Sequence, residues 1–361
     1  MRPAALLALA ASLGLPSSAP ASSFQVLVGL PGDAFTFCRP TDVSADGRVV
    51  VGQSGNRAFR WENGVYQEVS FSPGGEAEAN AVSADGSVVV GSGVFRSETG
   101  TMTPLGHLPG GDFASSAWAV SADGTKIAGV GAGPDSTSKS PYDAVIFGPG
   151  GAVRLSDIAG GGPYFAITAM SADGSVMAGT LAPPGSGLFV YRNGVVQPIG
   201  DLPGGDSYAD VLGMSADGST IVGYSSSSRG DEAFLYANGA FTPLGFLAGY
   251  HSVAYDANAD GSIVVGYSQD PSGSYSPFIW DSAHGMRNLV DVLTKDFGFD
   301  LHRYALINAT GISDDGRTIV GYAGDRLTGG TVGFIATIPE PTTGLLLGLS
   351  LAALGSRRRR A

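Results

Sequence analysis

The 361-residue chain has one cysteine, Cys38, and four histidines, His107, His251, His284 and His302. A lone thiol excludes an intrachain disulfide, so packing must stabilise the fold even in an oxidising compartment. The histidines are scattered, with no HExxH or comparable spacing, and no nucleophile with its base, paired acids or clustered metal ligands can be read from the sequence. Charged residues are only 14% of the chain, and acids outnumber bases 32 to 20, giving a formal net charge of −12. Phosphate backbones are bound through Lys and Arg, so no nucleic-acid partner is expected of so acidic a body. Apolar side chains, at 43%, and glycine, with 56 residues, are instead abundant, as in a well-packed globular domain.

The N-terminal stretch Met1 to Ser23 has an early Arg2, an apolar run from Ala4 to Leu15, a breaker at Pro16 and the small-residue site Ala19-Pro20-Ala21. That is the layout of a secretory signal peptide over residues 1–21, with cleavage after Ala21. A buried core helix would show polar positions at helical spacing, which this run almost entirely lacks. At the other end, Ile338 precedes Pro339, Glu340 and Pro341, an apolar run follows from Thr343 to Gly355, and Arg357, Arg358, Arg359 and Arg360 close the chain. As a transmembrane helix the run would span roughly 20 Å against a hydrocarbon core of about 30 Å, too short for a permanent tail anchor. With the arginines held inside, a transient stop in the inner membrane is expected. Pro-Glu-Pro, short apolar helix and Arg cluster, in that order over 339–361, resemble the PEP-CTERM sorting signal of Gram-negative bacteria. The resemblance implies processing by an exosortase, an exopolysaccharide context, and a cell-surface or extracellular-matrix destination.

Between these ends, over 22–338, one phrase recurs. Asp-Gly pairs stand at Asp46, Asp85, Asp123, Asp173, Asp217, Asp260 and Asp315, separated by 39, 38, 50, 44, 43 and 55 residues. Each lies between two apolar runs, the signal for a β-hairpin with a two-residue type I′ turn and positive φ at both central positions. The run after the turn has adjacent apolar residues, such as Val50-Val51 and Ile221-Val222, so that strand is buried on both faces. It always ends in glycine, from Gly52 to Gly321. A third strand with an aromatic stutter follows, as in Ala58 to Trp61 and Ala233 to Tyr236, then a turn such as Asn63-Gly64 and a fourth strand. The aromatic row, in register with the repeat, reads as blade-to-blade core rather than a ligand platform. Four-stranded repeats at this spacing predict an all-β β-propeller of seven blades. The seventh copy lacks a fourth strand, while Phe24 to Asp33 resembles an orphan one, so the first strand is expected to close the ring.

The units, for example Asp231 to Gly249 followed by Ala257 to Ser268, resemble those of HAF-repeat extracellular proteins. The name-giving His is replaced here by Arg57, Asp143 or Glu232, and only Ala-Phe and the Gly-rich frame remain. The resemblance implies architecture and no general catalytic activity. The Ser-x-Asp-Gly turns are also similar to the sialidase Asp-box, but lack the aromatic that box carries after its glycine. Asp256, Asn258, Asp260 and Gly261 begin like an EF-hand loop, echoed by Asp42, Ser44 and Asp46. The twelfth position is Tyr267, not Glu, and the stretch aligns with six other turns, so these are weak metal candidates and no cofactor is expected. Two insertions break the period, Gly131 to Asp143 and Asn288 to Tyr304, the second with apolar residues spaced for a short helix. No catalytic residues are assigned. The sequence thus predicts a non-enzymatic exported propeller binding polysaccharide or a surface protein. The alternative is a secreted carbohydrate-active enzyme, a glycosidase or lyase, which would gather two or more carboxylates within about 10 Å in the central funnel.

Overall fold

The computed structural model describes residues 22–339, except 34–36, 71–76, 93–94, 99, 112–114, 134–141, 149, 161, 163 and 182–186. Each repeat folds into one four-stranded antiparallel sheet, and the seven sheets form a closed ring, a seven-bladed β-propeller. The inner strands of blades one to seven are Cys38–Val43, Ala79–Val82, Ser115–Val120, Tyr164–Met170, Gly204–Met214, Ser252–Ala257 and Tyr304–Ile312. Each touches the inner strand of the next blade, and the seventh touches the first. Closure is as expected: Ser23–Leu27 is the outer strand of blade seven and pairs with Thr331–Thr337, Val26 opposite Phe334.

The second strand of each blade is buried on both faces; Val49, Val50 and Val51 are at most 2% exposed. The aromatic row is core. Phe59, Phe189, Phe234, Phe278 and Phe334 are fully buried. Each stands opposite a second-strand glycine, as Phe234 does opposite Gly223. These glycines have a second cause that the repeat pattern does not reveal. Every inner strand slips by one residue opposite them, for instance between Pro40 and Asp42 or between Val211 and Gly213. The bulge drives a carbonyl against the glycine: a Cβ at Gly52 would lie 2.2 Å from the Arg39 oxygen, and one at Gly179 would lie 1.8 Å from that of Ala166. No side chain fits there.

The Asp-Gly turns are not the expected type I′ turns. Positive φ at both central residues occurs at Asn63-Gly64, Asn193-Gly194 and Asn238-Gly239, which join third and outer strands. At the Asp-Gly pairs only the glycine is left-handed, as Gly47 is at 74°. The aspartate avoids positive φ because its carboxylate, not its backbone, organises the loop: Asp46 Oδ1 accepts from Ser44 Oγ (2.8 Å) and the Arg48 amide (3.1 Å). Ser44 Oγ in turn accepts from the Val49 amide at 3.0 Å. A four-residue loop stitched by side chains replaces the strained two-residue turn.

Of the insertions, residues 134–141 lie outside the described set. The second forms the expected short helix, Leu289–Asp291, capped by Asn288 and widening into a π-helical turn at Val292–Asp296. Its buried Leu289, Val292 and Leu293 join the core cluster shared by blades six and seven.

Candidate functional site

The two faces of the ring differ in chemistry. On one face, the aspartates of the Asp-Gly turns are satisfied internally. The Ser-Asp stitch of blade one recurs at Ser83-Asp85, Ser121-Asp123, Ser171-Asp173, Ser215-Asp217 and Ser313-Asp315. Hydroxyl and amide donors hold Asp123 and Asp173 down at about 2. Backbone bonds then run from turn to turn around the ring: Ala45 N to Ala84 O, Ala84 to Ala122, Ala122 to Ala172, Ala172 to Ala216, Asp217 to Ala259, Ala259 to Asp314, and Asp314 back to Ala45. Cations reach across blade boundaries to the turn carbonyls, Arg60 to Gly86 at 3.0 Å and Arg192 to Gly218 at 3.1 Å.

The EF-hand-like residues are divided by this arrangement. Asn258 Oδ1 accepts from the Ile263 amide and Asp260 Oδ1 from that of Ser262, both within the turn. Asp256 instead lines the central cavity. Among the described residues no group of three or more His, Cys, Asp or Glu is placed to hold a metal ion.

That cavity, about 190 Å³, is bounded by the inner strands. Bulge residues such as Thr41, Asn80, Trp118 and Tyr255 line it, and several tie neighbouring blades: Thr41 Oγ1 donates to Ala79 O (2.6 Å) and Asn80 Nδ2 to Ala117 O (2.8 Å). Asp42, Asp256 and Asp314 share the cavity, so the funnel does gather carboxylates. Both oxygens of Asp42 accept backbone N–H groups, of Val43 (2.7 Å) and of Val82 in the next blade (2.8 Å). Asp256 repeats the pattern on Ala257 (2.8 Å) and Ile312 (2.9 Å). Burial, outweighing these donors, lifts Asp42 to about 6; burial and then the Asp42 charge hold Asp256 well above the ordinary carboxylate range. Cys38, fully buried on the first inner strand, is pushed up to about 12 by burial and is an inert thiol.

The opposite mouth is where the repeat breaks its own rules. The residue after the second-strand glycine is Gln53, Ser92, Val130 and Thr180 in blades one to four, but Tyr224, Tyr267 and Tyr322 in blades five to seven. In blade five Tyr224 donates to Asp210 Oδ2 (3.0 Å) and shares a 2.9 Å hydroxyl contact with Tyr208, which is 54% exposed. In blade six Tyr267 packs edge-on against Tyr275, itself 47% exposed, at 5.2 Å between ring centres. His251 Nε2 lies 3.2 Å from the Tyr267 hydroxyl, and His251 Nδ1 lies 3.7 Å from Asp231 of blade five. Burial raises Tyr224, Tyr255 and Tyr267, which remain neutral phenols. The sequence reading passed over these residues, although a departure from the repeat at one fixed register was the available signal.

The positions matching the missing His carry structural bonds. Arg57 pairs with Asp33 (2.7 Å) and Glu68 (2.9 Å), Asp143 with Arg154 (3.1 Å), and buried Glu232 with Arg229 and the Gly245 amide. Of the export and sorting residues, Pro339 is half-buried at the end of blade seven. Ala19, Ala21, Glu340, Pro341, Arg357, Arg358, Arg359 and Arg360 lie outside the described residues, as does the apolar run expected to be a transmembrane helix. Among the described residues no helix is long and apolar enough to cross a membrane.

The class is defined by the ring: a closed seven-bladed β-propeller. Solved structures align with this fold at low identity. An oligogalacturonate lyase in complex with manganese aligns over 89% of this chain and 97% of its own, at 13% identity and TM-score 0.56. The β-propeller domain of the Trilobed protease from Pyrococcus furiosus, described as having an open velcro topology, aligns over 82% and 94%, at 11% identity and TM-score 0.52. Such identities carry the fold alone, and the strand pairing at Ser23–Leu27 closes the ring here. No curated protein matches significantly. Residues 337–360 match the PEP-CTERM protein-sorting motif. The chain is therefore a propeller carrying a PEP-CTERM signal, which indicates export and C-terminal processing by an exosortase-type enzyme in Gram-negative bacteria.

Proposed function

We propose that this is a non-enzymatic propeller of the cell surface or extracellular matrix, with HAF-like blades, that binds polysaccharide or a surface protein through the mouth opposite the Asp-Gly turns. The observation carrying this reading is the ledge of partly exposed tyrosines with His251 and Asp231 across blades five and six. Aromatic faces with polar tips suit sugar rings and interface side chains alike. The alternative, a carbohydrate-active enzyme, draws on the cavity carboxylates. Asp42 and Asp256 instead spend their oxygens on the backbone of adjoining blades, which suits ring closure better than proton transfer. The test is binding of purified propeller to exopolysaccharide from its host. Tyr267→Ala with Tyr275→Ala should weaken binding at least tenfold with little loss of stability, while Asp42→Asn leaves binding intact. Turnover of the polymer that Asp42→Asn abolishes would establish the enzyme instead.

A further inference from the structure

Arg39 stands apart from the other described cations. Most others have a carboxylate within ion-pair distance, and Lys126, Arg192 and Arg326 donate to backbone carbonyls. In a chain of net charge −12, no described residue offers Arg39 an ion pair or hydrogen bond. Its guanidinium carbon lies 5.0 Å from the ring centre of Tyr322 and 6.0 Å from that of Phe37, and its charge also acts on the half-buried Glu78 carboxyl, which stays beyond ion-pair distance. Arg39 is half-buried at the start of the first inner strand, on the mouth side of the bulge at Thr41.

A second unsatisfied group adjoins it. Asn308 is 2% exposed, its amide donates only weakly to the Tyr322 hydroxyl at 3.4 Å, and its Oδ1 is a buried acceptor without a partner among the described residues. Tyr255, raised by burial and lowered in turn by the neighbouring Asn308 amide and the Arg39 charge, connects this corner to the cavity. A buried acceptor left unpaired is unfavourable, so the corner favours an added donor.

Resting on the reading of the mouth as a polymer-binding face, we propose that the corner of blades seven and one is a subsite for the carboxylate of a uronic-acid residue. Arg39 presents a planar fork matched to a carboxylate, and a sugar hydroxyl can donate to Asn308 Oδ1. Tyr255 and Tyr322 supply hydroxyls and ring faces for the pyranose. Asp42, Asp256 and Asp314 in the cavity beyond disfavour entry of a second anion. An acidic peptide could satisfy Arg39 but makes less use of the hydroxyl-lined corner and tyrosine ledge.

The test measures binding of oligohexuronates, their carboxyl-reduced neutral counterparts and a glutamate oligomer to the mature propeller. Wild type should prefer the uronate over its reduced form by tenfold or more, with a preference that shrinks as salt rises. Arg39→Gln should bring the two within about twofold at unchanged melting temperature, and Arg39→Lys should fall between. Absence of a uronate preference in wild type, or its persistence in Arg39→Gln, overturns the subsite. Equal affinity for the glutamate oligomer overturns the sugar assignment. If neutral oligomers still bind and lose affinity only in Tyr267→Ala with Tyr275→Ala, the subsite falls and the face reading stands. Failure of every oligomer and of the host polymer to bind removes both.

Discussion

Each turn glycine meets two constraints at once. Gly86 has φ of 73°, and a Cβ there would lie 2.3 Å from Val49 Cγ2 of the preceding blade. A left-handed β-carbon costs about 1–2 kcal/mol and overpacking about 1–3 kcal/mol more. Gly86→Ala should therefore lower stability by several kcal/mol, whereas Asp85→Ala, which removes acceptors for Ser83 and the Ser87 amide, should cost about 1 kcal/mol. Added calcium should leave the melting temperature unchanged; a calcium-dependent rise lost in Asp260→Asn would contradict the structural role of these turns. The carboxylates also set opposing pH trends. Asp123 and Asp173 have folded pKa values near 2, below the unfolded value near 3.9, so their contribution is present above pH 4 and lost on acidification through 2. Asp42 is raised to about 6, so its contribution is complete below pH 4 and lost as pH climbs through 6. Thermal stability should peak near pH 4 and decline toward neutrality. Asp42→Asn should start lower, because its amide meets a backbone donor, yet show a flatter decline between pH 4 and 7 in a melting series.

The outer strand of blade seven comes from the opposite end of the described chain, and that pairing is the latch of the ring. Its register sets Phe24 opposite Ala336, stacks the Phe24 ring on Phe334 at 5.7 Å, and buries Leu27. Deleting Ser23 to Leu27 would expose an unpaired edge and an apolar flank. The truncated propeller should melt lower or aggregate in light scattering; an unchanged melting curve would show that the latch contributes little. The helix at Leu289–Asp291 illustrates a legible element, because the spacing of Leu289, Val292 and Leu293 marks a helical apolar stripe. The inner-strand bulges were not legible: a one-residue slip leaves no compositional trace beyond the glycine opposite, which β-strand interiors tolerate for several reasons.

For the whole molecule, the motif at 337–360 adjoins the last strand of the ring, which ends at Thr337. Cleavage near Pro341 would thus leave the propeller intact. Intact mass of the extracellular form should show loss of Arg357 to Arg360 in a host with its sorting enzyme, and retention without it. A mature form that keeps the arginines in the competent host would favour a plain tail anchor.

Seven Asp-Gly pairs at near-regular spacing, and one strand too many at the front, were enough for the sequence to determine a seven-bladed ring and its closure. The reason is that hairpin turns and doubly buried strands are local patterns that repeat. The sorting signal is likewise local, a linear order of Pro-Glu-Pro, apolar run and arginines. Only the tertiary structure decided that the Asp-Gly turns are stitched by serine and aspartate side chains, because turn type depends on which φ angles the packed loop adopts. It alone brought Tyr224, His251 and Tyr267 to one mouth and set Arg39 beside Asn308 and Tyr322. Those residues come from neighbouring blades, and the Arg39–Tyr322 contact, between positions 283 residues apart in the chain, arises from closing the ring.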